Sequence, residues 1–179
     1  REAEEVERKV EELNRRNRKV LDDARKESEE VVRRDHMVLH EYVNAAGITL
    51  RELDKRKRDG TSEEVIKRLI DRVRKILEDI RRLVDELIKR NERIVEKLTR
   101  IVEELIRRNK KLLEDIRREL VKVDEVLRRL AEDIERSIRE LEKVLRELER
   151  IHRELIKELK EVLKRLEKDA KEVIERLRT

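Results

Sequence analysis

Three histidines carry most of the chemistry that these 179 residues offer, and they occur in two settings. His36 and His40 are four residues apart, a spacing that places both imidazoles on one face of a helix, where the two nitrogens can hold a divalent metal ion. His152 stands alone, with no second histidine or cysteine near it in the sequence. Cys is absent, which removes disulfides, thiolate nucleophiles and thiolate metal ligands. There is no nucleophile with its base, no glycine-rich phosphate loop and no ligand cluster with metal spacing. Neither enzymatic activity nor a cofactor is expected.

The elements that must position these groups are set by composition. Charged residues make up 54% of the chain, and the 36% that are hydrophobic include no Phe or Trp and only Tyr42 among the aromatics. A core is therefore left to Leu, Ile, Val and Ala, as in long amphipathic helices and coiled coils. The 51 basic and 46 acidic residues nearly cancel and alternate along the chain, so a net charge of +5 forms no one-signed patch for nucleic acid. No apolar run reaches membrane-spanning length and no signal peptide is legible. The expectation is a soluble protein, cytoplasmic when expressed, with neither nucleic acid nor membrane as a partner. The chain starts at Arg1 without an initiator Met, which suggests that expressed residues were trimmed ahead of it.

The strongest punctuation is Arg58-Asp59-Gly60-Thr61-Ser62-Glu63-Glu64. Gly60 suits the left-handed position after a helix, and Thr61 or Ser62 suits the cap of the next. Beyond it the apolar residues repeat every 18 positions: Ile76, Ile94 and Leu112; Leu77, Val95 and Leu113; Leu127, Leu145 and Leu163. Eighteen residues make five turns, so the stripe drifts in neither direction and the helices should be straight. Residues 62–179 contain no Gly or Pro. One helix of that length would extend ~180 Å with its stripe uncovered. A second turn is therefore placed near Leu120 to Asp124; because the apolar phase runs through this junction, a dropped loop and one very long helix both remain open. The predicted helices are 2–58, 62–119 and 124–179, ~85 Å each. They form a single all-α domain over 1–179: a long, straight three-helix bundle running up, down and up. In its repeat and its Glu/Lys/Arg surfaces, the chain resembles computationally designed helical bundles over roughly 160 residues.

Several polar residues interrupt the stripes. Asn91 and Asn109 fall near the centre of the second helix's apolar arc, one repeat apart, and His152 and Ser137 take apolar places in the third. In the first helix, Asn17 and Ser28 lie on the line of Val10, Leu21 and Ala24. A turn centred on residue 60 brings first- and second-helix residues whose numbers sum to about 120 to one height, and the second turn gives a sum of about 241. Ser28, Asn91 and His152 then share one layer. Asn14 or Asn17, Asn109 and Ser137 share another. Buried hydrogen-bond layers of this kind fix register and topology. His152 is accordingly expected to be a satisfied core histidine and not a metal ligand.

Residues 34–49 depart from everything around them. They read Arg34-Asp35-His36-Met37-Val38-Leu39-His40-Glu41-Tyr42-Val43-Asn44-Ala45-Ala46-Gly47-Ile48-Thr49, with the chain's only Met and only Tyr. Alternation puts Met37, Leu39, Glu41, Val43 and Ala45 on one face and His36, Val38, His40, Tyr42 and Asn44 on the other, as in a strand covering a core. A helical reading instead puts Val38, Leu39, Tyr42, Val43, Ala46, Leu50 and Leu53 near the first helix's stripe and leaves Met37 and Ile48 on the far side.

Over its whole length this segment resembles the eleventh β-strand of green fluorescent proteins, in the engineered form used as a split-reporter tag. The resemblance covers about a tenth of the chain. It implies a partner, the complementary ten-strand fragment, whose chromophore matures on association. It also implies that Met37, Leu39, Glu41, Val43 and Ala45 face that barrel's interior, with Glu41 beside the chromophore, and that His40, Tyr42 and Asn44 point outward. Since the resemblance already supplies His36 and His40, no intended metal site is expected. With no flexible linker around it and the helical stripe running through it, the segment is expected to be caged as helix and released as strand. The alternative is a scaffold that docks a competing helix or a further helical chain and carries an inert tag.

Overall fold

A computed structural model describes residues 2–58, 62–119 and 125–179. Among them the chain forms three α-helices and no strand: α1 (Glu2–Arg58), α2 (Glu63–Glu119) and α3 (Glu125–Arg178). The expected boundaries differ from these by at most a residue. At the start of α2 the Ser62 carbonyl accepts the Ile66 N–H at 3.0 Å, which makes Ser62 the flanking cap. Glu63 and Glu64 in the first turn and Arg117 and Arg118 in the last complement the helix dipole, as do Arg176 and Arg178 at the end of α3. The turn residues Gly60 and Thr61 and the second turn at Leu120 to Asp124 lie outside the described residues.

The chain divides into two compact units, each drawing a piece from all three helices: Arg1–Glu30 with Arg93–His152, and Val31–Glu92 with Arg153–Thr179. In the first, Val6 and Val10 pack with Leu113, Ile116, Leu127, Ala131, Ile134 and Ile138. A second cluster there joins Leu21 and Ala24 to Leu98, Val102, Leu105, Leu141, Val144 and Leu148. As α1 numbers rise between the clusters, α2 numbers fall and α3 numbers rise. That is the signature of antiparallel neighbours with α1 and α3 parallel. The second unit follows the same rule, from Leu39, Val84, Leu87, Leu155 and Leu159 in one cluster to Leu53, Leu69, Val73, Val173 and Leu177 in the next. The fold is a three-helix bundle with up-down-up topology.

The α1–α2 register differs from the expected sum of about 120. Asn17 meets Asn109 in the first unit and Asp35 meets Asn91 in the second, both more than one helical turn beyond that sum. Side-chain direction contributes about two of the six positions of difference. Every Cα–Cβ bond tilts toward its helix's N-terminus, so antiparallel partners that touch are each C-terminal of the height at which they meet. For the parallel pair α1 and α3 the tilts cancel. Hydrogen bonds there join residues 122 to 124 positions apart, close to the difference between the two expected sums.

Candidate functional site

The polar side chains that break the stripes are buried. Asn17 and Asn109 are 5% and 0% exposed and exchange a reciprocal amide pair, Asn17 Nδ2 to Asn109 Oδ1 at 3.0 Å and Asn109 Nδ2 to Asn17 Oδ1 at 3.1 Å. Asn109 also donates to the Leu105 carbonyl at 2.6 Å. In the same unit the half-buried Ser137 hydroxyl donates to Asn14 Oδ1 at 3.0 Å. His152 is fully buried with its Nε2 2.7 Å from Ser28 Oγ, a hydrogen bond whose direction follows the imidazole tautomer. In the second unit the fully buried Asn91 donates its amide both to an Asp35 carboxylate oxygen and to the Leu87 carbonyl.

Asp35 is the partner that the sequence reading missed. It lies on the α1 stripe inside the unusual segment, where the height sums give it no layer, and it is 1% exposed and meets Asn91. The signal was available: Asp35 lies one 18-residue repeat beyond Asn17, as Asn109 lies one repeat beyond Asn91. The strand-like segment therefore brings its own acid into the place where the repeat presents an amide.

Residues 34–49 lie wholly within α1 and within the second unit. Helix holds there against poor local preference, since Gly47 and the β-branched Val38, Val43, Ile48 and Thr49 all weaken it. Two side chains bond back to the carbonyl four residues earlier, Thr49 Oγ1 to Ala45 at 2.9 Å and Arg51 Nε to Gly47 at 3.3 Å, contacts that satisfy the side chains and do not strengthen the helix. The contribution that holds it is burial. Leu39 and Ala46 are each 4% exposed, and Leu50 and Leu53 continue the line into the next cluster. Each large side chain buried in this way contributes about 1.5 to 3 kcal/mol.

The helix disperses the five residues that the strand would present on one face. Leu39 is in the core and Val43 packs half-buried against the same cluster, whereas Met37, Glu41 and Ala45 are exposed. Met37 and Ile48 lie in solvent, on the side to which the helical reading assigned them. Tyr42 departs from that reading: expected to dock, it is 47% exposed. At the margin of the stripe its ring keeps the phenol hydroxyl in water, where it needs no buried partner. His40 is exposed, and His36, 35% accessible, has its Nε2 3.6 Å from Glu158 Oε2 of α3.

Among the described residues no three His, Cys, Asp or Glu side chains gather as a metal centre, and no helix is long and apolar enough to cross a membrane. No protein-family model and no curated protein matches the chain. Among solved structures it is similar to a computationally designed three-helix bundle, with 19% identity, 98% of this chain and 88% of that chain covered, and a TM-score of 0.57. At that identity the likeness carries the fold alone.

Proposed function

We propose that this chain is a designed three-helix bundle that sequesters a fluorescent-protein strand as helix and yields it to the complementary ten-strand fragment when α1 loosens. The observation that carries the reading is the placement of residues 34–49: their Leu39 and Ala46 are in the core and their Asp35 takes the Asn91 amide, so the segment is built into the packing. A tag added for detection alone needs none of these contacts. The similarity to a designed bundle and the 18-residue repeat support the design reading.

Release is a contest between two structures for one set of side chains. In the strand, Met37, Leu39, Glu41, Val43 and Ala45 would face the barrel interior together; in α1, Leu39 is held in the bundle core and Asp35 is paired across to α2. The fragment can bind only molecules whose segment has undocked, so its apparent affinity falls by the open fraction. If undocking costs about 4 kcal/mol, that fraction is near one in a thousand. The test is the initial rate of fluorescence with the ten-strand fragment in excess, compared with the free 16-residue peptide. A rate far below that of the peptide supports caging. A rate equal to it returns the plainer reading, a structural scaffold with an inert tag.

A further inference from the structure

The structure assigns His36 and His40 as a two-histidine clamp for a divalent transition-metal ion, formed only while residues 34–49 are helical. Both lie inside α1, four residues apart, where side chains at i and i+4 stand about 5–6 Å apart at Cβ on one face. Both are open to solvent, His40 exposed and His36 35% accessible. One ion can therefore bridge their ring nitrogens at the usual ~2.0–2.1 Å, with water in its remaining positions. The Glu158 carboxylate of α3, 3.6 Å from His36 Nε2, is no third ligand but lends negative charge near that ring. Imidazole ligands select Ni²⁺, Cu²⁺ and Zn²⁺ over Mg²⁺ and Ca²⁺, which prefer oxygen. The remaining histidine, His152, is fully buried and does not compete.

The clamp is conformation-dependent by geometry. In an extended strand, residues 36 and 40 share a face but stand roughly 13 Å apart, at ~3.3 Å per residue, beyond the reach of one ion. An ion held by both imidazoles therefore binds the helical state and not the strand. By linkage, metal at about 100 times its dissociation constant lowers the fraction of open molecules about 100-fold. Metal binding stands without the proposed release to a fluorescent-protein fragment; if that release operates, the ion opposes it.

The binding test is calorimetric titration of Ni²⁺ into the full chain, carrying no added histidine tag, at mildly alkaline pH. Expected is one saturable site whose affinity falls at least about tenfold in His36→Gln and again in His40→Gln, with Mg²⁺ giving no signal. Each substitution replaces an accessible side chain, and retention of helicity by circular dichroism confirms that the fold survives. The conformational test is hydrogen exchange of residues 34–49 read by mass spectrometry. Saturating Ni²⁺ should slow exchange in the parent chain and leave His40→Gln unchanged. No saturable binding, affinity indifferent to either histidine, or exchange unaffected by bound metal overturns the clamp. None of these measurements involves the ten-strand fragment, so failure here and failure of strand release are separate results.

Discussion

Asn17 and Asn109 satisfy one another with both amide and carbonyl in use, which makes the pair costly to break and cheap to replace whole. Asn17→Ala leaves the Asn109 side chain buried without its partner, and denaturant unfolding should report a loss of about 1–3 kcal/mol. Replacing both by Leu should restore that stability or exceed it, because two apolar side chains leave nothing unsatisfied. Asp35 and Asn91 are less symmetrical, since a carboxylate that loses its donor is left with a larger desolvation cost. Asn91→Leu should therefore weaken docking of α1 without altering residues 34–49, raising the initial complementation rate by roughly ten- to a hundredfold. A rate equal to that of the parent would show that the Asp35 contact contributes nothing to caging. Asn91 and Asn109 were legible as buried from the stripe alone. Numbering by height did not give their α1 partners, in part because it ignores the lean of side chains toward each helix's N-terminus.

Among the elements, α1 is the least well supplied with large apolar side chains. Between Val10 and Leu39 its buried positions are Asn17, Leu21, Ala24, Ser28 and Asp35, whereas the buried line of α2 from Leu69 to Ile116 is broken only by Asn91 and Asn109. Buried apolar area sets docking strength, so hydrogen exchange should show the α1 amides opening before those of α2 and α3. Gly47 adds to the imbalance and offers a direct lever. A Cβ built there meets only Arg51 Nη2, at 3.7 Å, an ordinary contact. Gly47→Ala should thus stabilise α1 by about 0.5–1 kcal/mol, slow exchange around it and slow complementation. Unchanged exchange would mean that helix propensity at this site does not limit opening. The first turn was readable from its Gly60-Thr61-Ser62 punctuation, whereas the break between α2 and α3 was not, because the apolar phase runs through it and only the length of an uncovered stripe argues for a turn. The exposure of Tyr42 was not readable either, because helical angle alone does not say whether a bulky ring at the edge of a stripe turns inward or stays with water.

At the scale of the molecule, each compact unit has its own apolar clusters, and residues 34–49 belong entirely to the second. Where a substitution falls should therefore matter as much as how disruptive it is. Leu53→Asp and Val10→Asp both place a carboxylate at a buried position, 2% and 1% exposed, and both lie outside the strand-like segment. Leu53 belongs to the unit that holds the segment and Val10 to the other. With the ten-strand fragment in excess, Leu53→Asp should accelerate fluorescence by more than about a hundredfold, and Val10→Asp by much less. Equal acceleration would mean that α1 opens only as a whole. The division into units was invisible in the sequence, since an unbroken repeat marks no boundary.

The spacing of the polar pairs gives the α1–α2 seam a reading frame. Both members of one pair recur one repeat along in the other: Asn17 to Asp35 on α1, Asn91 to Asn109 on α2. Over the length that still overlaps, a slip of α2 by one repeat returns leucines and valines to equivalent places, so within that overlap the polar pairs mark the error beside the apolar stripe that the slip uncovers at the ends. Slipped one way, Asn17 finds Asn91 but the Asp35 carboxylate faces Val73; slipped the other, Asp35 finds Asn109 but Asn91 faces Leu53. Either misalignment strands one buried polar group in hydrocarbon, at about 1–3 kcal/mol or more for the charge. Two pairs one period apart thus work as a parity check on an otherwise repetitive text, and every frame-shifted assembly fails it by at least one letter.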